Sequence, residues 1–477
     1  MIKKVSDKLS KIPKRFFNDE NEERFIAYAR AKWPPLSSAD PDSVVLIDMY
    51  GHYPLLQSYA ASMNILGRLT NARLGAFTFA SDKLSYLGVP HRRVERMFES
   101  FGAPVRLSVR NGVFAASDAD RFAEEHFARL KTKWDVLDIK IDGFLVGDLV
   151  YDTYLRRGVA TIDITDPALK KDLRDAYVIY RAVESYFAKN KVVAVLSGHT
   201  CYNAHGIITR YALTKGVPLL HMRRDTYLVE LKDLLVDCPV FYLNKERFAK
   251  LAPDVQKASL ARAKSDLERR LKGHIDGAIA YLATGGKSGL TGYGKFSDKR
   301  ITKDTDKPKI LVLLSCFFDA PHCFRSSKIN FVTIKDSNKQ LVSEGVRAMF
   351  TTYGTAGHEF AYMGVPTVNA GDNPHINYDF NLHPATVEEY KSYIYSADRL
   401  QVKMDKAQVE EFFVMHSYFI YDNEELKADP LTYLAKERGI SEYSSEFLNL
   451  HLENERNGGN EKFYRYYEEF LSQYARK

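Results

Sequence analysis

Three short apolar runs constrain this chain more than any other feature. Ser43-Val-Val-Leu-Ile-Asp48, Lys191-Val-Val-Ala-Val-Leu-Ser197 and Lys309-Ile-Leu-Val-Leu-Leu-Ser315 are apolar at nearly every inner position, and each closes on polar residues. A run without alternation reads as a strand covered on both faces. A further strand is expected over Arg73–Phe79, and helical sequence fills 54–70, 167–189 and 206–215. Strand and helix in alternation predict a parallel sheet with helices on its faces. Ligands of such sheets gather at the carboxyl ends of the strands.

The polar residues that follow each run are therefore the first candidates. Beyond Asp48 come His52 and Tyr53. Beyond the second run Ser197, His199, Thr200, Tyr202, Asn203 and His205 crowd one loop. Ser197 and Tyr202 read as cleft residues. His199 is a candidate general base, because an imidazole titrates near neutrality; the alternative is that it caps the next helix or bonds backbone. Asp319 and His322 stand at the exit of the third run. Within Ile141–Leu155, the polar Gly147, Asp148, Tyr151, Asp152 and Tyr154 interrupt an apolar stretch. Such groups either satisfy one another or face a cleft, and on the second reading Asp148 and Asp152 are candidate bases.

The stretch Phe350–Asp372 reads as a strand end, a small-residue turn (Gly354, Thr355, Ala356, Gly357), a helix opening at His358-Glu359, then Gly364-Val-Pro366 and a short strand. Small residues let backbone N–H groups approach a ligand, and the positive end of the helix favours an anion such as a diphosphate. Glu359 is then placed to accept hydrogen bonds from sugar hydroxyls. The alternative is an ordinary βαβ turn in which Gly only makes room and Glu359 complements the helix dipole. A long loop dense in Asn, Asp, His and Tyr follows, from Asn369 to Tyr390.

Tyr353-Gly-Thr-Ala-Gly-His-Glu359, Gly364-Val-Pro366, Gly371-Asp-Asn-Pro-His375 and Phe380-Asn-Leu-His-Pro384 together resemble the nucleotide-sugar-binding half of GT-B glycosyltransferases, most closely the bacterial enzymes of capsular and surface polysaccharide synthesis. Gly147-Asp-x-x-Tyr-Asp-Thr-Tyr-Leu155 is similar to the same enzymes, and the resemblance extends more thinly over 140–425. It implies an α/β fold of two Rossmann-like domains with a cleft between them and C-terminal helices crossing back. It also implies donor contacts at Tyr353, Gly354, Thr355, Gly357, His358, Glu359, Asp372, Asn373, His375, His383 and Pro384. His383-Pro384 is similar to the pair with which transferases of CMP-linked acidic sugars contact the cytidine phosphate; UDP-linked donors stay open. The nucleotide sugar is substrate, with no cofactor or metal, and the acceptor is a lipid-linked or oligosaccharide glycan. UDP-sugar 2-epimerases share the architecture. One departure from the family pattern is that a helix–strand unit is missing between the third run and Tyr353, where Ile329–Ile334 is the one strand candidate. That leaves a non-catalytic nucleotide-sugar-binding subunit as a further alternative.

At 477 residues the chain is long for one core. The expected division is a basic arm over 1–40, an acceptor domain over 41–284, a linker over 285–308, a nucleotide-sugar domain over 309–425 and terminal helices over 426–477. Residues 245–283 are expected to cross the outside of the first domain. The excess of 68 Lys and Arg over 61 Asp and Glu suits anionic ligands but does not indicate nucleic acid. Residues 1–17 carry six basic side chains, with Ile2, Val5, Leu9 and Ile12 at helical spacing. They read as a helix able to lie on anionic lipid or as a solvated arm. Four scattered cysteines make no disulfide framework, and Cys316, His322 and Cys323 lack a second ligand pair. No apolar run approaches the roughly 20 residues of a spanning helix, so the expected place is the cytoplasm, with the inner membrane face as a peripheral option. Gly285-Gly-Lys-Ser-Gly lacks the upstream glycine of a phosphate-binding loop and reads as an acceptor-side loop or an interdomain linker. Phe463, Tyr467, Phe470 and Tyr474 form an aromatic helix face expected to pack into a core.

Overall fold

A computed structural model describes residues 17–34, 36, 39–79, 91–157, 159, 161–223, 227–232, 239–272, 299–302, 304–313, 337–351, 356–371, 373–402, 405–418, 431, 434–435 and 438–475. Two compact units share the chain: residues 1–234 with 429–477, and residues 235–428.

The first unit opens with helix α1 (Glu20–Lys32), held at its start by a reciprocal cap between Asp19 and Glu22. Then follow β1 (Asp40–Asp48), α2 (Tyr53–Thr70), β2 (Ala72–Phe77), α3 (His91–Ser100), β3 (Val105–Leu107) and α4 (Ala116–Arg129). The chain next makes a small hairpin, β4 (Lys140–Ile141) and β5 (Phe144–Leu145). Its two turn residues, Asp142 and Gly143, both have positive φ, as a tight hairpin turn requires. Helices α5 (Gly147–Leu155) and α6 (Pro167–Lys189), strand β6 (Lys191–Ser197), α7 (Ile207–Thr214), β7 (Leu219–Arg223) and β8 (Tyr227–Leu231) complete the N-terminal part.

The sheet order is β3-β2-β1-β6-β7-β8, parallel except for the antiparallel edge pair β7–β8. The chain builds outward from β1 through β2 to β3, then returns to place β6 on the other flank of β1. The order therefore reverses between β1 and β6, the point at which doubly wound sheets open a crevice. The expected strand runs lie here: Val44, Val45, Leu46 and Ile47 are fully buried, as are Val195 and Leu196.

The second unit contains α8 (Asn244–Ala249), α9 (Pro253–Leu271), β9 (Lys309–Val312), α10 (Asn338–Ser343), β10 (Val346–Thr351), α11 (Ala356–Tyr362), β11 (Thr367–Asn369), α12 (Val387–Tyr395) and α13 (Lys406–Ser417). Its three described strands are parallel, in the order β11-β10-β9. Met349 and Leu311 pack with Phe360 and Val365 in one cluster; Ala348, Phe350 and Val368 pack with Tyr390 and Tyr393 of α12 in another. A further cluster joins Ala263 and Leu267 of α9 to Phe412 and Phe413 of α13. For residues 245–272 that packing corrects the expectation of a path across the first domain: the apolar stripe of α9 is matched by two phenylalanines far along the chain, and residues 273–283 lie outside the described residues.

Helices α14 (Phe447–Arg456) and α15 (Glu461–Leu471) belong to the first unit again. His451 Nε2 lies 3.1 Å from the Tyr53 carbonyl, Tyr464 accepts from Gln57 at 2.6 Å, and Tyr466 donates to the Leu228 carbonyl at 3.0 Å. Phe463 and Tyr467 of the aromatic face are buried, as core packing requires. Among the described residues no helix is long and apolar enough to cross a membrane. The basic segment 1–16, the loop Gly285–Gly294, Ile329–Ile334, Cys316 and Cys323 lie outside the described residues.

Candidate functional site

The polar residues at the reversal point come from two neighbouring strand ends. Asp48 closes β1 and is buried; Ser197 closes β6 and is fully buried. Gly198 follows because a Cβ there would sit 2.4 Å from the Tyr59 hydroxyl. His199 and Cys201 come next, and the chain then makes a π-helical turn over Tyr202–Gly206 that feeds α7. Tyr202 enters that turn with a φ of 64°, a left-handed conformation that is costly for an aromatic residue. The surroundings hold it there: Asn203 N–H donates to Thr153 Oγ1 at 2.8 Å and Asn203 Nδ2 to the Asp172 carbonyl at 2.9 Å. π-turns recur where a helix must aim a side chain at a site. Here the turn aims His205, whose Nδ1 lies 2.8 Å from Asp48 Oδ2.

Around this pair the rings close in. His199 lies 5.3 Å from His205 and meets Tyr50 edge-on at 5.0 Å. Cys201 Sγ lies 3.9 Å from His199 Nδ1. Burial and the neighbouring His205 push the His199 imidazole down to about 4, so it is neutral at physiological pH. Burial pushes the Cys201 thiol up to about 11, with the Asp152 charge adding to it, which removes thiolate chemistry there. Arg156 lies over the Tyr202 ring at 4.5 Å.

The other sequence candidates of this unit have different positions. Asp148 is held by Arg210 through two contacts of 2.8 and 2.6 Å, tying α5 to α7. Its carboxylate is therefore an ion-pair partner that links two helices. Asp152 is exposed on α5. Ser197 Oγ donates to the His199 carbonyl and accepts from the His199 N–H at 3.2 Å, so it shapes the turn.

In the second unit the residues expected to hold a donor turn inward. His358, Glu359, Asn373 and His375 are buried. His358 Nδ1 lies 3.3 Å from His375 Nε2, and His375 Nδ1 lies 3.3 Å from Asn369 Nδ2. Asn381 donates to Asn369 at 2.7 Å, Asn338 donates to Glu359 at 3.2 Å, and Asn373 accepts from the His375 N–H at 3.0 Å. Phe412 packs on His375 at 4.5 Å. A Cβ at Gly357 would meet the His375 ring at 2.8 Å, so this glycine makes room for an imidazole. Gly357, His358, Glu359, Asn373 and His375 are thus surrounded by an aromatic core and amide side chains. Burial pushes His375 down to about 3 and His358 well below its ordinary value, with Arg270 and His375 adding to the latter. His383 and Pro384 are half-buried; His383 Nδ1 lies 3.3 Å from Asn373 Nδ2 and its Nε2 lies 3.1 Å from the Tyr378 carbonyl. Tyr353, Gly354, Thr355, Asp372, Asp319 and His322 lie outside the described residues.

Asp48, Tyr50, Arg156 and Tyr443 were not among the candidates read from the sequence, and His205 was named only as one of a polar group. Asp48 had a signal, a carboxylate ending an all-apolar run, and His205 stood in the polar crowd after β6. Arg156 and Tyr443 carried none. Among the described residues no three His, Cys, Asp or Glu side chains converge as a metal site needs. Compared with models of known protein families, with curated proteins and with solved structures, the chain matches none.

Proposed function

We propose that this chain is a glycosyltransferase that moves a sugar from a nucleotide-sugar donor to a glycan acceptor, with the acceptor activated at the reversal point of the first unit. The observation that carries the reading is the Asp48–His205 pair at 2.8 Å, buried beside the half-buried His199. A carboxylate beside an imidazole orients the ring and raises its basicity. On this reading the acceptor hydroxyl passes its proton to the imidazole pair, the hydroxyl oxygen attacks the anomeric carbon, and the bond to the nucleotide phosphate breaks.

The GT-B organisation of two Rossmann-like domains is part of the proposal, supported by the parallel sheets of both units and by the motifs of 353–384. The donor, CMP- or UDP-linked, is assigned to Tyr353–Thr355, Asp372, His383 and Pro384, which follow β10 and β11 in sequence. The buried His358, Glu359, Asn373 and His375 brace the loop that carries those contacts. The acceptor is a lipid-linked or oligosaccharide chain, presented at the inner face of the membrane.

The test is incubation of the full chain with labelled CMP- and UDP-sugars, with and without a glycan mixture. Label appearing in glycan supports the reading. Conversion of the nucleotide sugar without glycan would identify an epimerase instead. Failure of CMP, CDP or UDP to raise the melting temperature, with no transfer, removes the reading, because a ligand of the folded state must stabilise it.

A further inference from the structure

The polar edge of the first unit is also lined with rings. Tyr443, 53% exposed, lies 5.9 Å from His52; His52 lies 6.0 Å from Tyr50; Tyr50 lies 5.0 Å from His199; and His199 lies 6.4 Å from Tyr202. Arg156 closes the far end over Tyr202. His52, Tyr50, His199 and Tyr202 are each half-buried, so the arc is neither a sealed core nor a set of isolated surface residues.

We propose that this arc binds an extended, uncharged oligosaccharide, one sugar after another along the rings. It rests on the reading above that the acceptor is a glycan, and it names the class of glycan. Ring faces carry negative quadrupole charge and attract the slightly positive C–H faces of pyranose rings. Sugar hydroxyls need polar partners at the rim. Glu442 stands 4.0 Å from His52 at one end, and Arg156 stands at the other, one helical turn after Asp152. The charge balance selects against acidic sugars. Among the described residues at the arc, Asp48, Asp152 and Glu442 supply carboxylates and Arg156 a guanidinium, so a uronate would meet like charge beside half-buried rings.

The experiment is calorimetric titration of the full chain, without nucleotide sugar, against cellotriose, maltotriose, chitotriose and trigalacturonate. At least one neutral trisaccharide binds and trigalacturonate does not. Tyr443→Ala, at an exposed position, weakens neutral binding about three- to tenfold, and Glu442→Gln narrows the gap between neutral and acidic ligands. Binding of trigalacturonate as tight as the best neutral ligand, no neutral binding, or unchanged binding in a folded Tyr443→Ala overturns the proposal. The two readings fail separately. A chain that binds neutral glycan but transfers nothing keeps the arc and loses the transferase; one that transfers while Tyr443→Ala binds as before keeps the transferase and loses the arc.

Discussion

Each unit gathers a pair of histidines after parallel strand ends, and the two pairs live in opposite surroundings. His199 and His205 sit at a sheet-order reversal with a carboxylate 2.8 Å from one of them, a strained tyrosine at the head of their turn and half-exposed rings around them. His358 and His375 sit 3.3 Å apart inside an aromatic core, supplied with amide partners and braced by Phe412. The first pair lies beside a carboxylate with half-exposed rings around it; the second is enclosed by phenylalanines and amide side chains. Polar residues beside a strand end are thus poor guides by themselves. What separates a reactive histidine from a bracing one is the partner and the access.

That contrast can be broken or sharpened by mutation. The largest effect is expected from Asp48→Asn, which keeps the shape of a buried side chain and removes its charge. Glycan transfer should fall about a hundredfold to ten-thousandfold, the span of general-base catalysis. Transfer rates within error of wild type would show that the pair at β1 and β6 is bracing too.

Next comes His375→Ala in the second unit. Emptying this aromatic core should cost about 3 kcal/mol, read by denaturant unfolding and by hydrogen exchange over 356–384. A variant as stable as wild type that has lost nucleotide binding would place His375 on a ligand after all.

A pH titration compares the same two surroundings more gently. The folded His375 stays neutral down to about 3, and His358 also resists protonation, while the unfolded chain takes up protons below about 6.5. Their contribution is therefore whole above pH 6.5 and is lost as the pH falls toward the folded values, at about 1.4 kcal/mol per pH unit for each histidine. Unfolding midpoints of the second unit measured between pH 7 and 4 check the slope; a flat profile would mean the rings are not sealed.

The smallest effect belongs to Asp148→Asn. Loss of a part-exposed pair with Arg210 should cost no more than about 1 kcal/mol and leave transfer unchanged. A collapse of transfer would restore Asp148 as the base and displace His205.

Much of the architecture was legible in advance. All-apolar runs became β1, β6 and β9, and the expected helices over 54–70, 167–189 and 206–215 became α2, α6 and α7. The polar loop after β6 follows a strand end, as its sequence implied. The assignment of α9 was missed because its apolar stripe says that something covers it, but not what.

Local pattern suffices for periodicity, because the side-chain faces of a strand or helix are set by its own repeat. The sequence alone therefore determined which segments are buried strands, which are amphipathic helices and where polar groups cluster. Only the tertiary structure decided that β1 and β6 are neighbours, bringing Asp48 to His205, and that Phe412 seals His375 from solvent. Both depend on segments far apart along the chain, whose meeting is governed by summed packing over the whole core rather than by any residue's immediate neighbours.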